Sequence, residues 1–137
     1  MEPDVVELLR TLIRFRTENP PGGERAAVTW AKELFERAGL EPKVYARDPE
    51  RPNLVVRFPG QGQAPPLLVY GHLDVVPASS EGWSVDPFSG EVKEGFVWGR
   101  GALDMKGPLA IYLAALLGAH ADGELKGDVV LALVSDE

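Results

Sequence analysis

The sequence has 137 residues, of which 45% are hydrophobic, and this composition suits one globular unit with a sizeable core. Its 14 Lys and Arg residues against 21 Asp and Glu residues give a formal net charge of -7. This balance argues against binding to nucleic acid or to an anionic membrane, since both need basic patches. Cysteine is absent, so disulfides are excluded and any metal site must use His and carboxylate ligands.

The amino-terminal segment Met1–Asp4 is acidic and lacks the basic and apolar regions of a signal peptide. No apolar run in the sequence approaches the length of a membrane span. We therefore expect a cytoplasmic protein without membrane contact.

Two helices are predicted in the amino-terminal part of the chain. Pro3 suits a first helical turn, and apolar residues with helical spacing follow it from Val5 to Ile13. The segment Asn19-Pro20-Pro21-Gly22-Gly23 breaks this pattern. A second helix is predicted from about Glu24 to Ala38, where the following glycine is the expected stop.

Short strands are predicted next. Lys43–Ala46 is a candidate strand, and Asn53–Phe58 fits the pattern better. Leu67–Tyr70 is a continuous apolar run, which is typical of a buried strand. Phe88–Trp98 predicts a short hairpin with its turn near Glu94-Gly95.

A helix and a strand are predicted in the last part of the chain. Pro108 is the predicted start of a helix that reaches about His120 and is apolar nearly all round, so we expect burial on more than one side. We expect His120 to be exposed near the carboxyl end of that helix. Val129–Val134 is a further buried-type strand. The order strand, helix, strand predicts a parallel crossover in an α/β fold with a mixed, largely parallel sheet flanked by helices.

His72 and Asp74 come just after the apolar run that ends at Tyr70. In extended backbone both side chains leave on the same side, so Asp74 is placed to accept a hydrogen bond from the imidazole. A carboxylate in that position fixes the tautomer of a metal-binding histidine. A surface turn with a simple His–Asp hydrogen bond is the alternative for these two residues alone.

Asp104 lies in the glycine-rich segment Trp98–Gly107, whose glycines permit tight backbone conformations. An aspartate there is able to offer both oxygens to one or two cations. One alternative is an ordinary region at the start of a helix. Another is a dinucleotide loop, because Gly99-Arg100-Gly101 resembles the start of G-x-G-x-x-G. Asp104 argues against that loop, since the pattern requires glycine there and the negative charge would repel a pyrophosphate.

Asp136 and Glu137 follow the last predicted strand. Open α/β sheets place their sites at the carboxyl ends of strands, and His72 stands at the matching end of another strand. The alternative is a solvated acidic segment.

Together these segments resemble the M20 family of co-catalytic zinc metallopeptidases and amidohydrolases, which includes carboxypeptidases, aminoacylases, acetylornithine deacetylases and succinyl-diaminopimelate desuccinylases. The segments that carry the resemblance are, in chain order, Asn19-Pro20-Pro21-Gly22, Gly71-His72-Leu73-Asp74-Val75-Val76-Pro77, Trp83 with Asp86-Pro87-Phe88, Gly99–Gly107 and Ser135-Asp136-Glu137. Their order and spacing match throughout, and they correspond to the first third of a typical family member.

The resemblance implies a role for four residues. His72 is the implied ligand of one zinc ion, and Asp104 is the implied bridge between two. Asp74 is the carboxylate that orients the histidine. Glu137 corresponds to the first of two consecutive glutamates, the general base, and the second would be a metal ligand. The peptide bond between Asp104 and Met105 is expected to be cis.

The family's chemistry is hydrolysis of an amide bond in a short peptide or an N-acyl amino acid. Two zinc ions, or cobalt as an alternative, lower the pKa of a bridging water, and a glutamate carries its proton to the leaving amine. The segments Gly71–Pro77 and Val97–Ala102 lean toward carboxypeptidase or aminoacylase relatives.

The resemblance further predicts that residues 1–137 are the amino-terminal portion of a three-layer, zinc-peptidase-like catalytic domain, without the lid or dimerisation domain and the second catalytic half. One metal would then have His72 and Asp104 as ligands and the other only Asp104, whereas catalytic zinc needs three protein ligands. We therefore expect weak or absent zinc binding and no hydrolysis by these residues alone. A non-catalytic remnant or assembly module that binds no metal is the alternative, and exposed core surfaces leave homo-oligomerisation open.

Overall fold

The structure, a computed structural model, describes residues 3–137. Helices and strands follow one another in the order α1 Val5–Arg14, α2 Arg25–Arg37, β1 Lys43–Tyr45, β2 Asn53–Phe58, β3 Leu67–His72, β4 Val92–Lys93, β5 Phe96–Val97, α3 Lys106–Asp122 and β6 Val129–Val134. No helix within the described residues is long and apolar enough to cross a membrane.

A four-stranded sheet with the order β1-β2-β6-β3 forms the framework. β3 and β6 pair in parallel and are joined through α3, which confirms the predicted crossover. The α/β class and the mixed sheet are confirmed as well. The parallel share is smaller than expected, because β2 follows β1 after a short loop and runs antiparallel to both β1 and β6.

The core lies on one face of this sheet. Leu54 of β2 faces Leu133 of β6 in the register, and both are fully buried. These side chains belong to one cluster with apolar residues of α1, α2 and α3, so the three helices pack on that face. Within the cluster Phe35 of α2 meets Phe58 of β2 edge to face, with ring centroids 5.8 Å apart. Among residues 3–137 no helix of this cluster covers the opposite face, so the third of the expected layers is not represented there.

β3 is an edge strand, and its first residues are exposed rather than buried. Leu67, Leu68 and Tyr70 are 58%, 64% and 67% exposed. The prediction of a buried strand was wrong for these residues, because β3 pairs with a strand on one side only among residues 3–137. Its carboxyl end is different, since Gly71 and His72 are buried.

The helix predictions are close to the observed bounds. α1 and α2 are confirmed, and α3 begins at Lys106, earlier than the predicted start at Pro108. Ile111 is 58% exposed, so α3 is not buried all round. His120 is half-buried and not exposed as expected, because its ring packs edge-on against Phe58 at 5.9 Å.

The predicted hairpin is formed by β4 and β5. Its turn residues Glu94 and Gly95 have φ values of 55° and 81°. Two consecutive positive φ angles match the right-handed twist of the strands that they connect.

Candidate active site

The carboxyl ends of β3 and β6 bring two sequence motifs together. His72 stands opposite Val134 in the parallel register, so the residues after each strand meet at one edge of the sheet. The backbone N–H of Glu137 there donates to the carboxylate of Asp74, with N–O distances of 3.2 Å and 3.3 Å to its two oxygens. Residues predicted separately as site candidates are thus in direct contact.

The imidazole of His72 is held by the backbone of Asp74. Its Nδ1 lies 2.9 Å from the carbonyl oxygen of Asp74 and 3.4 Å from the carboxylate Oδ1. The closer partner is therefore the peptide carbonyl and not the carboxylate that the sequence suggested. In the neutral imidazole, an Nδ1–H that donates to the carbonyl leaves the lone pair on Nε2.

Nε2 of His72 points at carboxylates from two distant segments. Oδ1 of Asp104 lies 3.0 Å from Nε2, and Oε2 of Glu137 lies 3.8 Å from it. The His72 side chain is 10% exposed, whereas those of Asp104 and Glu137 are 82% and 69% exposed. The Asp104–Met105 peptide bond is cis, in agreement with the expectation. The structure thus brings His72, Asp104 and Glu137 to one point at a solvent-open surface.

The charges around His72 favour its protonated form. Burial alone lowers the pKa of the imidazole, but the hydrogen bond to the Asp74 carbonyl opposes it, and so do the carboxylates of Asp104, Asp74 and Glu137. Together they raise the pKa of His72 above its ordinary value of 6.5. A site that stabilises a proton at this position offers negative potential to any cation.

Asn19 is a site residue that sequence reasoning missed. Its side-chain amide lies 2.9 Å from Oδ2 of Asp74 and 2.9 Å from Oδ1 of Asp136, so it donates to both carboxylates. Asp136 has a φ of 65°, which is unusual for a residue with a Cβ. The available signal was a hydrogen-bonding side chain next to Pro20 and Pro21. This segment was interpreted as a helix breaker and as part of the family resemblance, and no role was assigned to Asn19.

A buried ion pair lies behind Asp136. Arg51 donates through its Nη2 to the fully buried carboxylate of Glu24 at 2.9 Å, and its Nη1 lies 3.2 Å from Oδ1 of Asp136. The bond to Glu24 and the neighbouring negative charges outweigh burial and raise the pKa of Arg51. The bond from Asn19 and the charge of Arg51 lower the pKa of Asp136 below its ordinary value. This pairing fixes the segment that carries Glu137.

Lys106 closes the other side of the site. It is fully buried at the start of α3, and its Nζ donates to the carbonyl of Phe15 at 2.8 Å. Burial lowers the pKa of Lys106 to about 8, although the charge of Glu18 acts in the opposite direction. The lysine ties the turn that carries Asp104 to the end of α1.

The site opens into a cleft of about 970 Å³. Its lining includes His72, Asp74, Asp104 and Glu137 together with the rings of Trp83, Phe96 and Trp98. Small-molecule sites have this mixture of apolar wall and few polar groups.

A family model described as peptidase family M20/M25/M40 matches residues 68–137, which is just over half of the chain. The chain belongs to this family. The matched segment contains His72, Asp74, Asp104 and Glu137. The sequence-based resemblance to the M20 family is thereby confirmed, and membership indicates a hydrolase.

Several curated proteins similar to this chain are described as succinyl-diaminopimelate desuccinylases. The chain is 39% identical to the succinyl-diaminopimelate desuccinylase of Wolinella succinogenes, over 100% of this chain and 35% of that protein. It is 43% identical to the enzyme of the same description from Methylorubrum extorquens, over 95% of this chain and 34% of that protein. The chain thus spans about a third of the length of these relatives.

Solved M20-type structures share the fold. A metallo-carboxypeptidase from Sulfolobus solfataricus superposes with a TM-score of 0.85 at 23% identity, over 96% of this chain and 30% of that one. Human carnosine dipeptidase 1 gives a TM-score of 0.79 at 21% identity, over 95% of this chain and 31% of that one.

Metallopeptidases of the M20 family generally use zinc, and the residues of this site fit zinc in donor type. Imidazole nitrogen and carboxylate oxygen are zinc ligands, and His72 and Asp104 present one of each. Residues 3–137 contain no group of three or more His, Cys, Asp or Glu side chains placed to hold one ion. His72 and Asp104 thus offer two donors of the types that zinc accepts.

Proposed function

We propose that this chain carries part of the active site of a dinuclear zinc hydrolase that cleaves an amide bond in a peptide or an N-acyl amino acid. The observation that supports this most is the approach of Asp104 Oδ1 and Glu137 Oε2 to His72 Nε2, at 3.0 Å and 3.8 Å. The three residues come from separate segments and meet in a cleft with aromatic walls.

Each residue has a defined task in this proposal. Bound zinc supplies an activated water and polarises the scissile carbonyl. When zinc is bound, His72 would hold it through Nε2, because its Nδ1–H is committed to the Asp74 carbonyl, and the carboxylate of Asp104 would be a second ligand. Asp74 holds the backbone of Glu137. Glu137 is the general base, which takes a proton from the water and delivers it to the leaving amine.

The names of the curated relatives make an N-succinyl amino acid the first substrate to test. The sequence motifs lean toward carboxypeptidase and aminoacylase relatives, so short peptides and other N-acyl amino acids belong in the same panel. We expect a polypeptide of these 137 residues to bind zinc weakly and to hydrolyse none of these substrates by itself. Catalytic zinc needs three protein ligands, and residues 3–137 hold no group of three metal-binding side chains.

A second candidate is a non-catalytic module that binds no metal. It is favoured by the observation that residues 3–137 hold no three-ligand group. Such a module would act through folding or assembly alone.

Calorimetric titration of zinc into the chain tests these candidates. His72→Ala and Asp104→Ala should each weaken zinc binding roughly tenfold or more, since loss even of a supporting group costs that much. His120→Gln is the matched control, because this histidine lies at the far end of α3 against Phe58. Tight binding of two zinc ions would contradict the incomplete site. No binding by a folded chain would favour the module.

A further inference from the structure

Arg100 is the one lysine or arginine among the described residues that line the cleft. It follows Gly99 after β5, and its backbone N–H donates to the carbonyl of Pro87 at 2.7 Å. Its guanidinium carbon lies 5.6 Å from the ring centroid of Trp83, within the range of a cation–π contact. The backbone contact and the ring together fix where the positive charge sits.

The Nε of Arg100 lacks the hydrogen-bond acceptor that a buried arginine nitrogen normally has. This nitrogen is buried and has no hydrogen-bond acceptor within residues 3–137. Every other buried side-chain nitrogen or oxygen in those residues has a hydrogen-bond partner. Arg51 shows the ordinary arrangement, because its guanidinium is paired with Glu24. A buried N–H without an acceptor is costly, so this Nε requires an explanation, and a bound water, ion or ligand on the same guanidinium is one.

The charges of the cleft indicate what that ligand is. The other titratable lining residues are His72 and the carboxylates of Asp74, Asp104 and Glu137, which belong to the proposed metal site. Arg100 is a positive group in the same cleft that has no role in the proposed metal site. The planar fork of arginine matches the two oxygens of a carboxylate. A cleft of about 970 Å³ has room for a ligand that spans both groups.

We propose that Arg100, backed by Trp83, is a carboxylate-binding subsite that holds a free carboxylate of the substrate while the amide bond lies at His72 and Asp104. The inference rests on the proposed amide hydrolase function and narrows its substrates to anionic ones. The carboxylate has two possible sources. One is the acyl group, as in a succinyl amide, and the other is the α-carboxylate of the amino acid.

The test measures binding without metal, so that it does not depend on the zinc site. In the presence of a chelator, the full chain is titrated with N-propylsuccinamate, N-acetyl-L-alanine and N-propylacetamide, and the ¹H–¹⁵N resonance of Arg100 Nε is followed by NMR. N-propylsuccinamate carries only an acyl carboxylate, N-acetyl-L-alanine carries only an α-carboxylate, and N-propylacetamide carries neither. At least one carboxylate should shift the Arg100 resonance, and the tighter of the two identifies the source.

Variants separate recognition from folding. Arg100→Gln should weaken carboxylate binding about tenfold or more, and Arg100→Lys should weaken it less because the charge remains. Arg47→Gln, an exposed arginine outside the cleft lining, should change nothing. If Arg100→Gln does not fold, the subsite is tested by the carboxylate affinity of Arg100→Lys and by the shift of the Arg100 Nε resonance in wild type. Equal binding of N-propylacetamide, or unchanged affinity in the Arg100 variants, would overturn the subsite. If Arg100→Lys and wild type bind zinc with the same affinity, carboxylate binding at Arg100 and zinc binding at His72 and Asp104 are independent, so each proposal is tested on its own.

Discussion

Asn19 holds the carboxylate of Asp74, since its Nδ2 lies 2.9 Å from Oδ2 across a separation of 55 residues. The same amide nitrogen lies 2.9 Å from Asp136. One neutral side chain therefore bridges two carboxylates that would otherwise repel each other. It also joins the loop after α1 to the segment that carries Glu137.

Replacement of Asn19 should destabilise the fold in a graded way. Asn19→Ala removes both donors and should lower the free energy of unfolding by about 1–3 kcal/mol, since hydrogen bonds to charged acceptors lie in that range. Asn19→Asp should cost more, because it places a third carboxylate against Asp74 and Asp136. Urea denaturation followed by circular dichroism measures both. Gln63→Ala, at an exposed loop position, is the control and should be close to neutral. An Asn19→Asp protein as stable as wild type would contradict this account.

The contrast between His72 and Asn19 shows what sequence could predict of the site. His72, Asp104 and Glu137 were found because each follows a recognisable strand or precedes a recognisable helix, and the ends of such elements meet predictably. Asn19 lies between elements, and its partners depend on the path of a proline-rich loop. That path follows from tertiary packing rather than from local pattern.

The sheet shows the same division. The pattern predicted Asn53–Phe58 and Val129–Val134 as strands, and both have those bounds. It also predicted Leu67–Tyr70 as a buried strand, which the exposed edge position of β3 contradicts. A continuous apolar run has the same composition in a central and in an edge strand, because strand order follows from the connections and not from the run itself.

Gly101 should be intolerant of a side chain. Its φ is +82°, and a Cβ built there would lie 2.5 Å from Cγ1 of the buried Val75. Gly101→Ala should therefore lower stability by about 1–3 kcal/mol through backbone strain and overpacking. Gly118→Ala is a matched control inside α3, where a Cβ meets nothing within 4 Å. Alanine there should stabilise by about 0.5–1 kcal/mol. Thermal unfolding of both variants measures the difference, and two equal melting temperatures would count against it.

Asp128 should make the fold sensitive to acid. It accepts a hydrogen bond from the backbone N–H of Gly60 at 2.7 Å and is paired with Arg57. These contacts lower the pKa of Asp128 below its ordinary value of 3.8. A carboxyl whose pKa is lower in the folded state stabilises the fold at pH values above its unfolded-state pKa. This stabilisation is lost as the pH falls through its folded-state pKa.

The comparison is between wild type and Asp128→Asn. The variant should melt at a lower temperature than wild type at pH 7, and the gap should close as the pH falls below 3.8. Asp122→Asn, an exposed position at the end of α3, is the control and should follow the wild-type curve in shape. A gap that stays constant from pH 7 into the acid range would mean that Asp128 acts through packing and not through its charge.

The Glu24–Arg51 pair should show strong energetic coupling. Glu24 is fully buried, so Glu24→Gln leaves Arg51 with a partly buried charge and only Asp136 to balance it. Breaking a buried pair on one side costs about 3–5 kcal/mol. Arg51→Gln should be at least as damaging, because it strands the carboxylate of Glu24. The double variant should cost less than the sum of the single variants, with a coupling of about 1–3 kcal/mol.

A surface pair provides the reference for this cycle. Arg25 and Glu50 lie 3.0 Å apart, with side chains that are 64% and 65% exposed. Exposed pairs couple by at most about 1 kcal/mol, because water screens them. Urea denaturation of both cycles at the same salt concentration compares them directly. Coupling in the Glu24–Arg51 cycle no larger than in the Arg25–Glu50 cycle would show that the segment carrying Asp136 and Glu137 is held by Asn19 and packing rather than by the buried ion pair.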